Sequence, residues 1–432
     1  MSKGTPIAER PLRALPRPDA RSRVVRMGRQ LVVPPTPTSR PLAVTTFLHT
    51  VGTGLVITLT TIYFTRVVGI SVGRLGLGLT ISGVVSLLVG VPFGRLSDRV
   101  GPRGLLAFLL VCQGVAVLLH AFAHSFGLFV AVSSLLAIAN QGASAVRSAL
   151  IARVMLPEER VVSRAYLRSV TNVGFAMGAA LAGVALESSE RTLYQVLFSV
   201  GALCFVGAAA AMHGVPAVPP AESTAPVSPV LALRDGPFVS VVVVTSVLQL
   251  HYAVLEIGIP LWVSEHTDAP RRLVSVLFLL NTVFVFLFQV PVGRRWGGLR
   301  QAGPVCAVAG GLVAGACLLL GVSAASTGLL TVVLLVAACG VHAAGEICHT
   351  TGAWAAGFGL APDHAQGQYQ GLFSTGMAAS QMAGPVLVTA VVTAGALTGW
   401  LVAASVFTLS GLLTPLVIGR AMRTRVVAEA TA

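Results

Sequence analysis

Charge is what this sequence has least of. Asp, Glu, Lys and Arg make up 10% of its 432 residues, against roughly 25% in a soluble globular chain. With 55% hydrophobic residues and a mean hydropathy of +0.84, that deficit excludes a water-solvated globule. Lysine is almost missing: Lys3 is the only one, and the other 28 basic residues are Arg. No P-loop G-x-x-x-x-G-K-[ST] is present, so an ATP-driven pump is not expected. Paired cysteines are absent as well. Cys112, Cys204, Cys306, Cys317, Cys339 and Cys348 lie inside apolar runs without C-x-x-C spacing, as small buried hydrophobes do. No H-E-x-x-H occurs, and no enzyme is expected. The tails are too short for a signalling domain, so a receptor is not expected either.

What is present is a regular alternation of apolar runs about 20 residues long with short polar joints. Twenty residues of helix measure about 30 Å, the thickness of a bilayer's hydrocarbon. Spans are expected at 41–64, 74–95, 103–121, 127–147, 164–186, 192–212, 238–263, 273–293, 303–322, 327–351, 368–391 and 396–419. Alternate joints differ in charge. One set, with both tails, holds 24 of the 29 basic residues; the other holds Arg66, Arg74, Arg191, Arg271 and Arg272. The positive-inside rule then puts both termini in the cytoplasm of a multi-pass plasma (inner) membrane protein. Residues 1–40 carry nine basic residues and two acids. Lacking an apolar segment of their own, they read as a disordered basic tail beside anionic lipid headgroups. The net charge of +14 sits between apolar runs rather than along one face, which argues against a nucleic-acid partner.

A Pro-, Ala- and Ser-rich joint at 214–236 divides the chain into bundles at 41–213 and 237–419, with a tail at 420–432. A repeat crosses it. Val91-Pro92-Phe93-Gly94-Arg95 recurs as Val290-Pro291-Val292-Gly293-Arg294, 199 residues later, each copy ending the second span of its half. Repeated halves suggest a transporter.

After the second span comes Gly94-Arg95-Leu96-Ser97-Asp98-Arg99-Val100-Gly101-Pro102-Arg103. It resembles the signature G-x-x-x-D-R-x-G-R-R of the major facilitator superfamily. Gly94, Asp98, Arg99, Gly101 and Arg103 match, and Pro102 replaces one basic residue. The resemblance implies an all-α membrane protein: twelve transmembrane helices in two pseudo-symmetric six-helix bundles. It also implies that this cluster latches the cytoplasmic side. Asp98 has two kinds of partner within reach, a nearby Arg or the positive N-terminus of the eleventh span. In the second half Gly297 and Gly298 replace Asp98 and Arg99, so any latch is asymmetric. The stretch from Gly174 through Gly178 to Gly183 looks like the superfamily's antiporter motif g-x-x-x-G-P-x-x-G-G, with Ala179 for Pro and Ala182 for Gly. Small residues for close helix packing explain it equally. Gln141-Gly142 resembles part of R-x-x-q-G, with Ile138 where Arg is expected.

Two carboxylates lie inside apolar spans, Glu256 and Glu346. An ionised side chain in hydrocarbon needs a partner, a water-filled cavity or a proton. Tyr252 and Glu256 share a helical face, and Pro260 favours a cavity-lining bend beyond them. His342, Glu346 and His349 step by four and three on one face, a stack suited to passing protons; a metal is not expected. The 199-residue offset maps Arg147 onto Glu346, and the two are expected to pair across the closed gate. The resemblance implies that spans one, four, seven and ten line the cavity, which puts His49, Thr53, Asn140, Gln141, Ser144, Gln249 and Tyr252 there. Asn172, Asn281, Gln289 and Gln381 read as helix–helix hydrogen bonds. The cavity is expected to lack clustered Arg, and so to suit a hydrophobic or amphipathic compound. The expected function is proton-coupled efflux by a monomer resembling the drug:proton antiporter branch; uptake or uniport of a neutral nutrient is the alternative. Its partners are then a small molecule, protons and lipid, with the proton gradient in place of a cofactor. The Arg-, Ala- and Gly-rich usage fits a GC-rich bacterial genome.

Overall fold

The computed structural model describes residues 39–183, 190–219, 228, 230–394 and 397–431. The basic tail expected over 1–40 lies outside the described residues except at its last two positions, as does 220–227 of the joint between bundles. The described elements are all helical: α1 Ser39–Val67, α2 Val72–Leu87 with Gly90–Val100, α3 Pro102–His120, α4 Phe126–Val154, α5 Pro157–Gly183 and α6 Arg191–Gly214 in the first half. The second half has α7 Gly236–His266, α8 Leu273–Trp296, α9 Leu299–Ser323, α10 Leu329–Gly359, α11 Asp363–Thr393 and α12 Thr398–Thr431. Ten of these are long and apolar enough to cross a membrane, and α2, whose segments meet at 45°, makes an eleventh. The twelfth is α5, long enough at 27 residues but carrying Glu158, Glu159, Arg160, Arg164 and Arg168 in its first half.

Local sequence sets the breaks. Gly101, at φ +87°, ends α2 in a conformation side chains resist, and Pro102 opens α3 where a missing N–H costs nothing. Asp235 caps α7 by accepting the Phe238 N–H at 3.1 Å. The letters G-x-S-x-G do occur at 69–73. Ser71, however, is the N-cap of α2 and accepts the Arg74 N–H, whereas a nucleophile elbow needs a strand before its serine. Ahead of Pro260, α7 loosens into a π turn over Val254–Gly258 that carries Glu256.

The halves repeat one packing scheme. In the first, α1 packs on α5 and α6, α3 on α4 and α6, and α2 on α4. In the second, α7 packs on α11 and α12, α9 on α10 and α12, and α8 on α10. Adding six to each helix number converts one set into the other, so there are two six-helix bundles. Across their interface α2 and α4 meet α11, and α5 meets α8 and α10.

Several helices outrun the expected spans, four of them along the interface between the bundles. α4 continues to Val154 and α10 to Gly359, while α5 begins at Pro157 and α11 at Asp363. Hydropathy detects the stretch that faces lipid. These helices continue beyond it because the other bundle covers them.

The glycines at Gly174 and Gly178 serve close packing of α5 on α1. A Cβ on Gly178 meets the Val51 carbonyl, and one on Gly174 meets the Thr50 hydroxyl. Gly183 has nothing nearby. Gly178→Ala is therefore expected to cost roughly 1–3 kcal/mol, and Gly183→Ala almost nothing. Thermal unfolding of the purified variants checks this; equal Tm values would remove the seam as a constraint.

Candidate functional site

At the end carrying the α2–α3 and α10–α11 joints, the bundles seal against each other. The Asp98 carboxylate accepts the backbone N–H of Gly367 at 2.8 Å and of Gln368 at 3.0 Å. A negative charge thus sits on the unsatisfied N–H groups that open α11, where the helix dipole favours it. Of the two kinds of partner open to Asp98, this is the helix terminus; the hydrogen bonds go to no arginine. Glycines permit the approach: a Cβ on Gly94 meets the Gly367 carbonyl, and one on Gly371 meets the Gly90 carbonyl. Arg103 turns back instead and donates to the carbonyls of Met212 and His213 at the end of α6. Arg99 is exposed. In the second copy Gly293 and Gly297 pack against Val161 of α5, and the position of Asp98 is taken by Gly297. Gln141 adds a bond between bundles, donating to Ser374 Oγ at 3.4 Å.

Beyond the seal lies a cavity of about 210 Å³ between α1, α4, α5, α7, α10 and α11. Gln249, Tyr252 and Glu256 line it as expected, and so does Gln381, which was read as a helix–helix group. Glu256 and Gln381 are exposed, whereas Thr351 and Ser374, toward the seal, are buried.

The expectation of a cavity without clustered arginines is wrong. Arg147 of α4 and Arg164 and Arg168 of α5 all line it. Arg168 Nη2 donates to Glu346 Oε1 at 3.4 Å, and Asn281 Nδ2 donates to Glu346 Oε2 at 3.3 Å. Glu346, 2% exposed, is therefore held by both bundles. The Arg168 guanidinium lies 5.1 Å from the centre of the Tyr252 ring, and that of Arg164 lies 5.7 Å from the centre of Trp354. The expected spans end at Arg147 and begin at Arg164, with Arg168 one turn inside. The extension of α4 and α5 draws all three inside.

The expected Arg147–Glu346 pair is also absent, although the seal is closed. Arg168 takes the carboxylate, and Arg147 Nε is buried without a hydrogen-bond partner. The offset identified the right helices but could not choose among arginines on two of them. Nor do His342 and His349 stack on Glu346. They clasp His251 of α7: His251 Nδ1 lies 3.3 Å from His342 Nε2, and His251 Nε2 lies 3.2 Å from His349 Nδ1. Glu346 faces α5 and α8 instead. His251 was passed over, although it adjoins Tyr252 in the same polar turn. Among the described residues no group of His, Cys, Asp or Glu is arranged to hold a metal ion.

Other expected cavity residues scatter. His49 is buried in the first bundle, its Nε2 3.0 Å from Gln113 Oε1 and its ring against Phe205. Thr53 and Asn140 line a separate cavity of about 340 Å³ with Gln113 and His120. Ser144 faces a small gap near Trp354 and Ser374. Gln289 bonds Thr350 between α8 and α10, as a helix–helix group.

The profile of the Major Facilitator Superfamily matches residues 42–385. Quinolone resistance protein NorA of Staphylococcus aureus is 24% identical over 254 residues, which cover 56% of this chain and 63% of NorA. The chain thus aligns with less than two thirds of that protein's length. Among solved structures, a bacterial homologue of the iron transporter ferroportin in an outward-facing state superposes with a TM-score of 0.71 at 13% identity, covering 90% of this chain and 100% of that one. The human organic anion transporter MFSD10 (TETRAN) superposes with a TM-score of 0.68 at 19% identity, covering 88% and 100%.

Removing the cap on α11 should loosen the seal. Asp98→Ala is expected to cost roughly 1–2 kcal/mol there. In a background free of cysteine, Ser374→Cys should react slowly with a water-soluble maleimide, and about tenfold faster once Asp98→Ala is added. Equal rates would show that Asp98 does not hold the bundles together.

Proposed function

This chain belongs to the Major Facilitator Superfamily, and from that premise we propose that it is a proton-coupled secondary transporter exporting a small amphipathic compound by alternating access. It is a multi-pass membrane protein. On the charge of its joints, the sealed end faces the cytoplasm, both termini lie there, and the cavity opens outward. A bacterial plasma membrane is the setting this implies.

The observation that carries the proposal is the Arg168–Glu346 pair, which ties the two bundles together beside the cavity. Glu256 is exposed on the π turn of α7 and meets incoming protons first. A proton delivered to Glu346 neutralises the partner of Arg168 and weakens the bond across the interface. The bundles can then rock about the cavity, breaking the Asp98 seal and admitting substrate from the cytoplasm. Deprotonation on that side restores the pair. The binding energy of one charge pair, a few kcal/mol when one partner is buried, is of the size needed to shift such an equilibrium. Likeness to NorA supports export. The His349–His251–His342 cluster beside Glu346 supports proton movement between α7 and α10.

Proton-coupled uptake is the second reading, and the same pair favours it for one class of substrate. An anion that competes with Glu346 for Arg168 leaves Glu346 free to take a proton, so both ligands bind together.

Reconstituted vesicles with an imposed pH gradient test the coupling. A panel of amphipathic compounds that includes a quinolone should give substrate-dependent proton movement, and its direction separates export from uptake. Glu346→Gln mimics the protonated form. It should retain exchange of substrate across the membrane and lose at least 90% of gradient-driven accumulation. If Glu256→Gln and Glu346→Gln both accumulate substrate like the parent and stay pH-sensitive, these acids do not couple.

A further inference from the structure

The charge balance of the cavity names a substrate class. Three guanidinium groups line it, from Arg147, Arg164 and Arg168, with one carboxylate, Glu256; a second, Glu346, is buried behind Arg168 and bound to it. Arginine stays protonated under all working conditions. Among the described residues the only cavity ion pair is Arg168–Glu346. Among the described residues Arg147 and Arg164 have no carboxylate within ion-pairing distance. Arg147 Nε is buried without a partner, and Arg164 is positioned over the Trp354 ring. An unpaired cation at membrane depth is expensive, so a site that keeps two requires a counter-charge from elsewhere.

We propose that this cavity selects small organic monoanions, with Arg147 and Arg164 holding a carboxylate or sulfonate while Trp354, Phe373 and Met377 take the apolar body. A planar guanidinium fork matches those oxyanions with paired hydrogen bonds. The aromatic and aliphatic wall explains why the ligand is amphipathic rather than a simple ion. Glu256 limits the charge. With Glu256 ionised and Glu346 neutralising Arg168 from behind, the lining presents one net positive charge, which suits a monoanion and disfavours a dicarboxylate or phosphate ester. All three arginines come from the first bundle and both acids from the second, so the anion is held mainly by one side. This inference rests on the transporter reading for the statement that what binds is also carried.

Full-length protein in lipid nanodiscs, titrated by calorimetry, provides the test. The probes share an aromatic body and differ in the head: naphthalene-2-sulfonate, the neutral 2-(methylsulfonyl)naphthalene and the cationic (2-naphthylmethyl)trimethylammonium. A second set built on benzene keeps size from deciding the result. The sulfonate should bind at least tenfold tighter than either analogue. Arg147→Gln and Arg164→Gln should each weaken the sulfonate about tenfold and leave the neutral sulfone unchanged, which also reports an intact fold. Glu346→Gln, by freeing Arg168, should tighten the sulfonate severalfold. Equal binding of sulfonate and sulfone, equal loss of both in the Arg variants, or no binding of either sulfonate would overturn the assignment. Vesicle transport separates the two readings. Arg-dependent sulfonate binding without transport leaves the anion site standing and removes the transporter reading. Coupled transport of neutral or cationic compounds, indifferent to Arg147 and Arg164, does the reverse.

Discussion

Hydrocarbon offers no partner to a polar group, and almost every feature of this molecule answers to that constraint. Backbone groups are satisfied within helices, since water cannot satisfy them there. Helices approach through Gly174, Gly178 and Gly94, because association within a bilayer depends on close contact more than on burying apolar surface. Where a helix must end inside the protein, its exposed N–H groups need an acceptor. Asp98 provides one for α11 from the opposite bundle. The same requirement pins Glu346 between Arg168 and Asn281. Both contacts join the two bundles through a buried or half-buried carboxylate.

The backbone symmetry and the chemistry diverge. Helix packing repeats with a shift of six helices, yet the carboxylate that caps α11 has become Gly297 in the second copy. The polar groups are divided as well. The first bundle contributes arginines from α4 and α5, and the second contributes acids and histidines from α7 and α10. Basic groups of one half thus face acidic groups of the other across the interface. The seal is correspondingly built from one strong cap and one interface of small residues.

Sequence reasoning worked where the signal was local. Apolar runs of membrane length and the repeat of Val91–Arg95 at Val290–Arg294 both follow from what each short segment must do in a bilayer. The Asp98 contact with the start of α11 was among the partners foreseen, since a helix N-terminus and a carboxylate attract whatever surrounds them. The reading failed where helices leave the lipid. Arg147, Arg164 and Arg168 look like interfacial residues in a hydropathy profile. The profile cannot register that another bundle will cover them.

The sequence by itself determined the membrane class, the twelve helices, their division into halves and the presence of two costly acids, because each depends on composition along one segment. Only the tertiary structure decided partners. It gave Glu346 to Arg168 rather than Arg147, gathered His342 and His349 around His251, and turned three scattered arginines into one wall of a cavity. Residues 178 positions apart, as Arg168 and Glu346 are, meet only after the bundles dock, and helical spacing within either segment carries no record of that distance.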